Sequence, residues 1–439
     1  MRKFYIETYG CQMNVADSEV IASILTNSDY IITNKIEEAD VILVNTCSIR
    51  DNAEQRVHGR LKLFSNIKKK SPHVIVGVLG CMAERLKEEL LENEKVVDLV
   101  VGPDSYRDLP TIIKTVESGQ KAVNVYLSQD ETYDDISPIR YDTNGVSAFV
   151  SIMRGCQNMC AYCIVPYVRG AERSRSTETI INEIKELETK NYKEITLIGQ
   201  NVDSYLYVKE NNKVTFANLL KQVAIAFPGI RIRFSTNHPK DLTDNVLQIM
   251  AKYNNVCKNI HLPVQSGSTN TLQNMKRGYT REWYLQRIEA IRNIVPECAI
   301  STDIMVGFCG ETDSDHQETL SLIEKVGYDF AFMFKYSERK GTFAARKMKD
   351  DVPEEIKVKR LNEVIELQNK LSTISKLKDI GKIFEVLVEG VSKKSKNEMF
   401  GRNSQNKVVV FPSTVNIPGD LVKVEITKCT SATLIGKLI

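Results

Sequence analysis

The sequence has no apolar run approaching the roughly 18 residues needed to cross a bilayer. Its opening, "MRKFYIETYGC", carries basic residues but no continuous apolar stretch of the kind a secretory leader needs. No membrane partner is expected, and the cytoplasm is the expected location. Low-complexity tracts are also missing, and 42% hydrophobic with 26% charged residues describes a chain that folds. There is no large excess of one charge: the net value of +3 is too small to name a partner. Histidine is scarce, at five in the chain, and the nearest one downstream of the densest cysteine cluster is His238.

At 439 residues the chain is too long for one ordinary core and fits two or three domains. Its ten cysteines make a poor disulfide framework in a reducing compartment, so clustered ones read as metal or cluster ligands. Short apolar runs alternate with helical patterns from the start: "KFYIETYG", "ADVILVNT", "HVIVGVLG" and "VVDLVVG" are candidate strands. That alternation predicts a parallel sheet covered by helices. Cys11, Cys47 and Cys81 each follow one of the first three strands and precede a helix. Parallel strands end on one edge, so three thiols 36 and 34 residues apart in sequence can converge there. Helix N-termini beside them favour the thiolate.

Residues from about 102 to 145 read as a connector, with a helical piece and then polar, turn-rich sequence. Six further strand and helix rounds follow, with strands at "SAFVSIMRG", "EITLIGQ", "IRIRFSTN", "NIHLPVQSG", "AISTDIMVGF" and "DFAFMFKYS". Six units fall short of the eight in a full barrel, which predicts a partial, open (β/α)6 barrel with its chemistry at the carboxyl ends of the strands. A long amphipathic helix and short alternating strands end the chain, predicting a small antiparallel β-barrel of a size that binds oligonucleotides. From Lys376 to Ile439 there are eleven Lys and Arg against six Asp and Glu, so a polyanion partner is expected there. The whole is an α/β chain with expected domains at 1–120, 142–373 and 376–439.

The stretch "MRGCQNMCAYC" packs Cys156, Cys160 and Cys163 into eight residues after the first barrel strand. Structural zinc needs four ligands, and this spacing supplies three with no histidine nearby. A disulfide would leave one thiol over in the wrong compartment. A cubane iron-sulfur cluster remains, since thiolates are its usual ligands, and three of them leave one iron open. An open coordination position is what makes a metal site chemical.

This spacing, in a six-unit partial barrel, resembles the radical S-adenosylmethionine enzymes. "ETYGCQMNVADSE", "VNTCSIRDNAEQ", "GCMAER", "GCQNMCAYCIVPYVRGAERSR", "GQNVDSY", "LPVQSGS", "DIMVGFCGET" and "YSERKGTFAA" resemble the methylthiotransferase branch along nearly the whole chain. The resemblance implies an N-terminal domain, a radical S-adenosylmethionine barrel and a C-terminal TRAM barrel that binds RNA. It implies two [4Fe-4S] clusters, one on Cys156, Cys160 and Cys163 and an auxiliary one on Cys11, Cys47 and Cys81. It implies two S-adenosylmethionine molecules per turnover: one methylates a sulfur held at the auxiliary cluster, and one yields a 5′-deoxyadenosyl radical that activates an aromatic C–H. "NTCSIRDNAEQ" and "CIVPYVRGAERSR" resemble the type that modifies C-2 of isopentenyladenosine beside the anticodon of tRNA. An anticodon loop presents its bases at little cost. Rival substrates in the same branch are threonylcarbamoyladenosine in tRNA and a ribosomal protein. A rival of another class is a non-enzymatic iron-sulfur RNA-binding regulator. The chemistry also calls for an electron donor such as a flavodoxin or ferredoxin, and an iron-sulfur assembly or sulfur-donor protein.

Cofactor contacts are expected at the strand ends. Gly199 and Gln200 end the second barrel strand, where related enzymes contact the methionine amino group, although a tight turn explains them equally well. Ser235, Asn237 and His238 end the third strand, Gln265 and Ser266 the fourth, and Asp303 lies in the fifth. Arg169, Arg173 and Arg175 follow the cysteine loop as candidates for phosphate or the cofactor carboxylate, or as a solvated charge run. Two departures from the branch, Cys309 in "FCGET" and His316, leave the six proposed ligands intact. Cys257, Cys298, Cys309 and Cys429 do not cluster in sequence and read as small buried residues. Lys68 to Lys70 read as a solvated helix end.

Overall fold

A computed structural model describes residues 1–48, 51–141, 144–210, 212–413 and 415–439, without the side chains of 51–54. Ile49 and Arg50 of the "NTCSIRDNAEQ" stretch, and residue 142 at the expected start of the second domain, lie outside the described residues.

The N-terminal sheet is parallel throughout. Its strands lie in the spatial order Ile31–Ile32, Lys3–Tyr9, Val41–Thr46, Ile75–Gly80, Leu99–Val101, Ala122–Asn124. The register sets Phe4 opposite Val41, Val41 opposite Ile75 and Leu99 opposite Ala122. Val41–Thr46 and Ile75–Gly80 are buried along their whole length, because helices cover both faces. Alternate side chains serve the two layers. Val41, Leu43 and Leu79 meet Ile21 and Leu25 of helix Gln12–Thr26 on one face, and Ile42, Val44 and Val76 meet Leu61 and Phe64 of helix Asp51–Lys70 on the other. Two edge strands join the four legible in the sequence. At two and three residues they are too short to show a period.

The stretch read as a connector is strapped down. Tyr133 is buried and stacks on Tyr106 at 5.7 Å, and its hydroxyl donates to the Pro103 carbonyl at 3.0 Å. Arg107 pairs with Glu131 and Asp135, and Ile136 and Ile139 pack on the same core.

The second domain holds six parallel strands in two three-stranded sheets. One runs Ser147–Ser151, Glu194–Ile198, Arg231–Phe234, and the other Asn259–His261, Ala299–Val306, Phe330–Lys335. Side-chain oxygens of Ser176, Thr215, Thr280 and Thr312 cap the helices between them. The strands match the six read from sequence, and the partial barrel stands. Helix Glu354–Leu377 packs across the last strand, with Gln368 bonded to the Tyr328 carbonyl at 3.0 Å. His316 is held by Glu363 of that helix at 2.7 Å.

The C-terminal strands Ile383–Val391, Glu398–Asn403, Val408–Pro412, Leu434–Leu438 and Leu421–Cys429 close a barrel in that order. Closure removes exposed sheet edges, and Val388, Phe411, Val424 and Leu434 fill the inside. This barrel is seated on the N-terminal ends of the larger barrel's strands. Arg231 donates to the carbonyls of Arg402 and Glu385, Arg233 to those of Asn403 and Ser404, and the Lys258 amide to Ser404 Oγ at 2.9 Å. Among the described residues no helix is long and apolar enough to cross a membrane.

Candidate active site

The first three cysteines meet at one sheet edge. Cys11 precedes helix Gln12–Thr26, Cys47 follows strand Val41–Thr46, and Cys81 opens helix Cys81–Leu86 directly after strand Ile75–Gly80. Tyr9, Thr46 and Gly80 lie opposite one another in the register, so the residues that follow them share a level. A Cβ on Gly10 would sit 2.5 Å from the Cys47 Cβ, and its φ of +146° suits glycine. A hydrogen bond from Cys47, helped by the Arg169 charge, lowers the Cys11 thiol to about 6 against the upward push of burial. Burial raises Cys81, and Arg169 opposes this with its Nε 3.0 Å from the sulfur.

The second triad sits at the carboxyl end of the first barrel strand. The loop leaves Met153–Arg154 through Gly155, whose φ is +79° and where a Cβ would lie 1.9 Å from the Ala171 carbonyl oxygen. The Cys156 amide donates to Gly170, the Ala161 amide to Met275 and the Cys163 amide to Cys160, at 3.2, 2.9 and 3.0 Å. Arg277 Nη1 lies 3.3 Å from Cys160 Sγ, and its Nη2 donates to the Pro263 carbonyl at 2.8 Å. Burial pushes Cys156 up to about 11 and Cys163 up to about 12, and the other thiols of the loop add to the shift. Unliganded, Cys156 and Cys163 stay protonated, and ionising them takes a bound cation or cluster.

Both donor sets fit an open cubane: three thiols, a glycine that lets the backbone turn, and a guanidinium against one sulfur. Among the described residues no three His, Cys, Asp or Glu gather around a single ion.

One short helix joins the triads. Arg169, on helix Val165–Arg169 just past Cys163, reaches Cys81 and pairs with Asp17 at 2.6 Å. Asp17 also pairs with Arg154 at 2.8 Å, and all three are buried. Cys81 packs directly on Ile164 and Val168. The first triad is therefore joined to the segment that follows Cys163, through the packing of Cys81 on Ile164 and Val168 and the bond from Arg169.

Family models match in three consecutive blocks: Uncharacterized protein family UPF0004 over residues 3–102, Radical SAM superfamily over 150–323 and TRAM domain over 378–439. A tRNA-2-methylthio-N(6)-dimethylallyladenosine synthase of Bacteroides fragilis is 60% identical over 99% of this chain and 95% of its own length. One of Parabacteroides distasonis is 59% identical over the same shares. The chain belongs to this synthase family. Among solved structures, the radical S-adenosylmethionine methyltransferase TsrM from Kitasatospora setae aligns with a TM-score of 0.57 at 12% identity, covering 76% of this chain and 73% of that one. That likeness carries the fold alone.

The remaining strand-end residues spread over several tasks. Gln200 Oε1 accepts the Gly155 amide at 2.5 Å, and a Cβ on Gly199 would collide with Met153, so this pair braces the cysteine loop. The Ser235 amide donates to the Leu197 carbonyl at 3.1 Å, continuing the ladder. Asn237 donates to both oxygens of Asp203 at 2.9 Å, and burial pushes that carboxyl up to about 7. His238 is buried against Tyr279, and burial with the nearby Arg277 charge lowers it to about 2, so it stays neutral. Gln265 has a φ of +72° and its amide donates to the Asp303 carbonyl at 2.9 Å, while Ser266 shares a bond with Thr319. Asp303 pairs with His261 at 3.2 Å.

The three arginines behave differently from the sequence expectation. Arg175 is buried and bonded to Asp134, Glu183 and the Ser151 carbonyl at 3.0, 2.6 and 2.8 Å. Its charge is neutralised inside the protein, which removes it from the cofactor contacts. Arg173 is likewise spent on Asp104 at 2.7 Å and Arg169 on Asp17. Lys68 pairs with Asp98 instead of standing free. Sequence reading missed Asp17, Arg154 and Arg277. The signal for Asp17 was a charged residue on a helix whose neighbours Val20, Ile21 and Ile24 are core formers.

Glu84, on the helix opened by Cys81, gives a pH prediction. Burial raises its carboxyl to about 7, and Lys87 only partly offsets this. A raised carboxyl favours the folded state at low pH, and that contribution is lost as pH climbs from about 4.5 through about 7. Glu84→Gln is expected to stabilise the protein by about 1–3 kcal/mol at pH 8 and to have little effect at pH 4.5. Denaturation midpoints at the two pH values check this, and an equal shift at both would refute it.

Proposed function

We propose that this protein is a cytoplasmic tRNA methylthiotransferase that adds a methylthio group to C-2 of isopentenyladenosine beside the anticodon. The observation that carries the reading is a pair of three-thiol sites joined through helix Val165–Arg169, which follows Cys163 and packs on and bonds to Cys81. Cys156, Cys160 and Cys163 would hold one [4Fe-4S] cluster, and Cys11, Cys47 and Cys81 the other. Bound there, the clusters and two S-adenosylmethionine molecules supply methyl transfer to sulfur and radical C–H activation.

The chain's own residues hold and orient. Gln200 fixes the backbone at the head of the cysteine loop, and Arg277 sets a positive charge against Cys160. Arg169 does the same for Cys81, opposing the upward push of burial on that thiol. Asn237, Gln265, Ser235 and the Gly199–Gln200 backbone are the groups at the strand ends available to S-adenosylmethionine, whereas Asp303, inside its strand, is held by His261. The C-terminal barrel grips the anticodon stem-loop. An electron donor such as a flavodoxin or ferredoxin and an iron-sulfur assembly or sulfur-donor protein complete the partners.

Anaerobic reconstitution, followed by S-adenosylmethionine, reductant and an isopentenylated anticodon stem-loop, is expected to yield the methylthio nucleoside by mass spectrometry. Absence of that product, with modification of a threonylcarbamoylated stem-loop or a ribosomal protein instead, would sink the substrate assignment.

A further inference from the structure

The last barrel strand, Phe330–Lys335, reads F-A-F-M-F-K. Ala331 and Met333 face the covering helices and join the main core. Phe330, Phe332 and Phe334 face the opposite way and remain 48%, 45% and 38% exposed. A period of two puts the three rings on one side, the concave inner side of the open barrel. The neighbouring strands line the same side: Ser301 and Asp303 lie opposite Phe330 and Phe332, and His261 lies opposite Ser301. His261 shares a bond with Ser301 at 3.1 Å, pairs with Asp303 at 3.2 Å and meets the Phe332 ring edge-on at 5.8 Å.

The stripe joins two regions already described. Asp329, the residue before Phe330, pairs with Lys407 of the C-terminal barrel at 3.0 Å, so one end starts at that seam. The other end reaches the carboxyl side of the sheet, the side on which the cysteine loop lies. From Phe330 to Phe334 the strand rises about 13 Å, the length of about four stacked nucleotides. The C-terminal barrel also exposes Lys393, Lys394 and Lys396 on the loop at the far end of strand Glu398–Asn403 from that seam, a set of charges suited to phosphates further along the RNA. Open aromatic rings that start at the seam with a lysine-bearing barrel match unpaired nucleobases, which stack on aromatic side chains.

We infer that Phe330, Phe332 and Phe334 form a stacking platform for the unpaired bases flanking the modified adenosine, with the His261–Asp303 pair as its polar edge. The inference rests on the tRNA reading above and names the surface that positions the loop.

The test uses the full-length reconstituted enzyme and an isopentenylated anticodon stem-loop carrying 2-aminopurine beside the target. The Phe330→Ala, Phe332→Ala double variant is expected to bind about five- to a hundredfold more weakly per ring removed and to lose the fluorescence quench on binding. Its iron content and its RNA-free S-adenosylmethionine cleavage stay at the wild-type level. The slope of log affinity against log salt is unchanged, because no charge is removed. Phe332→Tyr keeps a ring and retains the quench. Wild-type affinity and quench in the double variant would overturn the platform while leaving the tRNA reading standing. Loss of iron together with affinity would also overturn it, by showing a structural role. A wild-type enzyme that neither binds nor modifies the isopentenylated RNA would overturn both.

Discussion

Cys156→Ala protein, reconstituted anaerobically, is expected to lose S-adenosylmethionine cleavage entirely while keeping about four of about eight irons. The argument is one of ligand count. Three thiolates already leave one iron open, and a cubane held by two is poorly anchored. The Cys11, Cys47 and Cys81 triad belongs to a different sheet edge and a different set of amide bonds, so it has no reason to empty when Cys156 is lost. Cys81→Ala should show the converse pattern: about four irons, cleavage retained, and no methylthio product. Iron titration with a cleavage assay reads both variants. Undiminished cleavage in Cys156→Ala would refute the assignment of that loop, and a full iron load in Cys81→Ala would refute the auxiliary site.

The second large effect is expected at Asp17. Its carboxylate neutralises two buried guanidinium groups, Arg154 at 2.8 Å and Arg169 at 2.6 Å, and Tyr106 Oη adds a third contact at 3.4 Å. Asparagine keeps the shape and removes the charge, leaving Arg169 without its charge partner and Arg154 with only Asp104 at 3.8 Å. Breaking a buried pair in this way costs about 3–5 kcal/mol, far more than the 0–1 kcal/mol of a surface pair. The denaturant midpoint of Asp17→Asn should fall accordingly, with iron content at the Cys81 site falling too, because Arg169 loses its anchor. A midpoint shift worth less than about 1 kcal/mol would show that water or a neighbouring group replaces the charge.

Much of the architecture was legible because it is periodic. The six barrel strands, the N-terminal alternation and the small barrel follow from local runs of apolar residues. The convergence of Cys11, Cys47 and Cys81 followed from one topological rule about strand ends. What sequence did not reveal depends on contacts between distant residues. Asp17 and Arg154 are 137 positions apart, and Arg173 and Asp104 are 69 apart. No local pattern distinguishes an arginine neutralised inside the protein from one waiting for phosphate, and Arg175 shows the difference. The phenylalanines of "DFAFMF" were legible as strand, but which face the helices cover is decided by the barrel's curvature and its open side. The polar stretch around Tyr133 read as linker because its anchoring comes from a few buried rings and arginines, which composition averages away.

The Asp17 contacts also fix a dimension. From Cys11 to Asp17 is six residues of helix, about 9 Å, and from Arg154 to Cys156 is two residues of chain. The gap between the two cysteine triads is therefore gauged by this short, stiff path and not by the 145 residues of covalent chain that separate Cys11 from Cys156. Both triads share one datum, so breathing elsewhere in the molecule displaces them together and leaves their spacing intact.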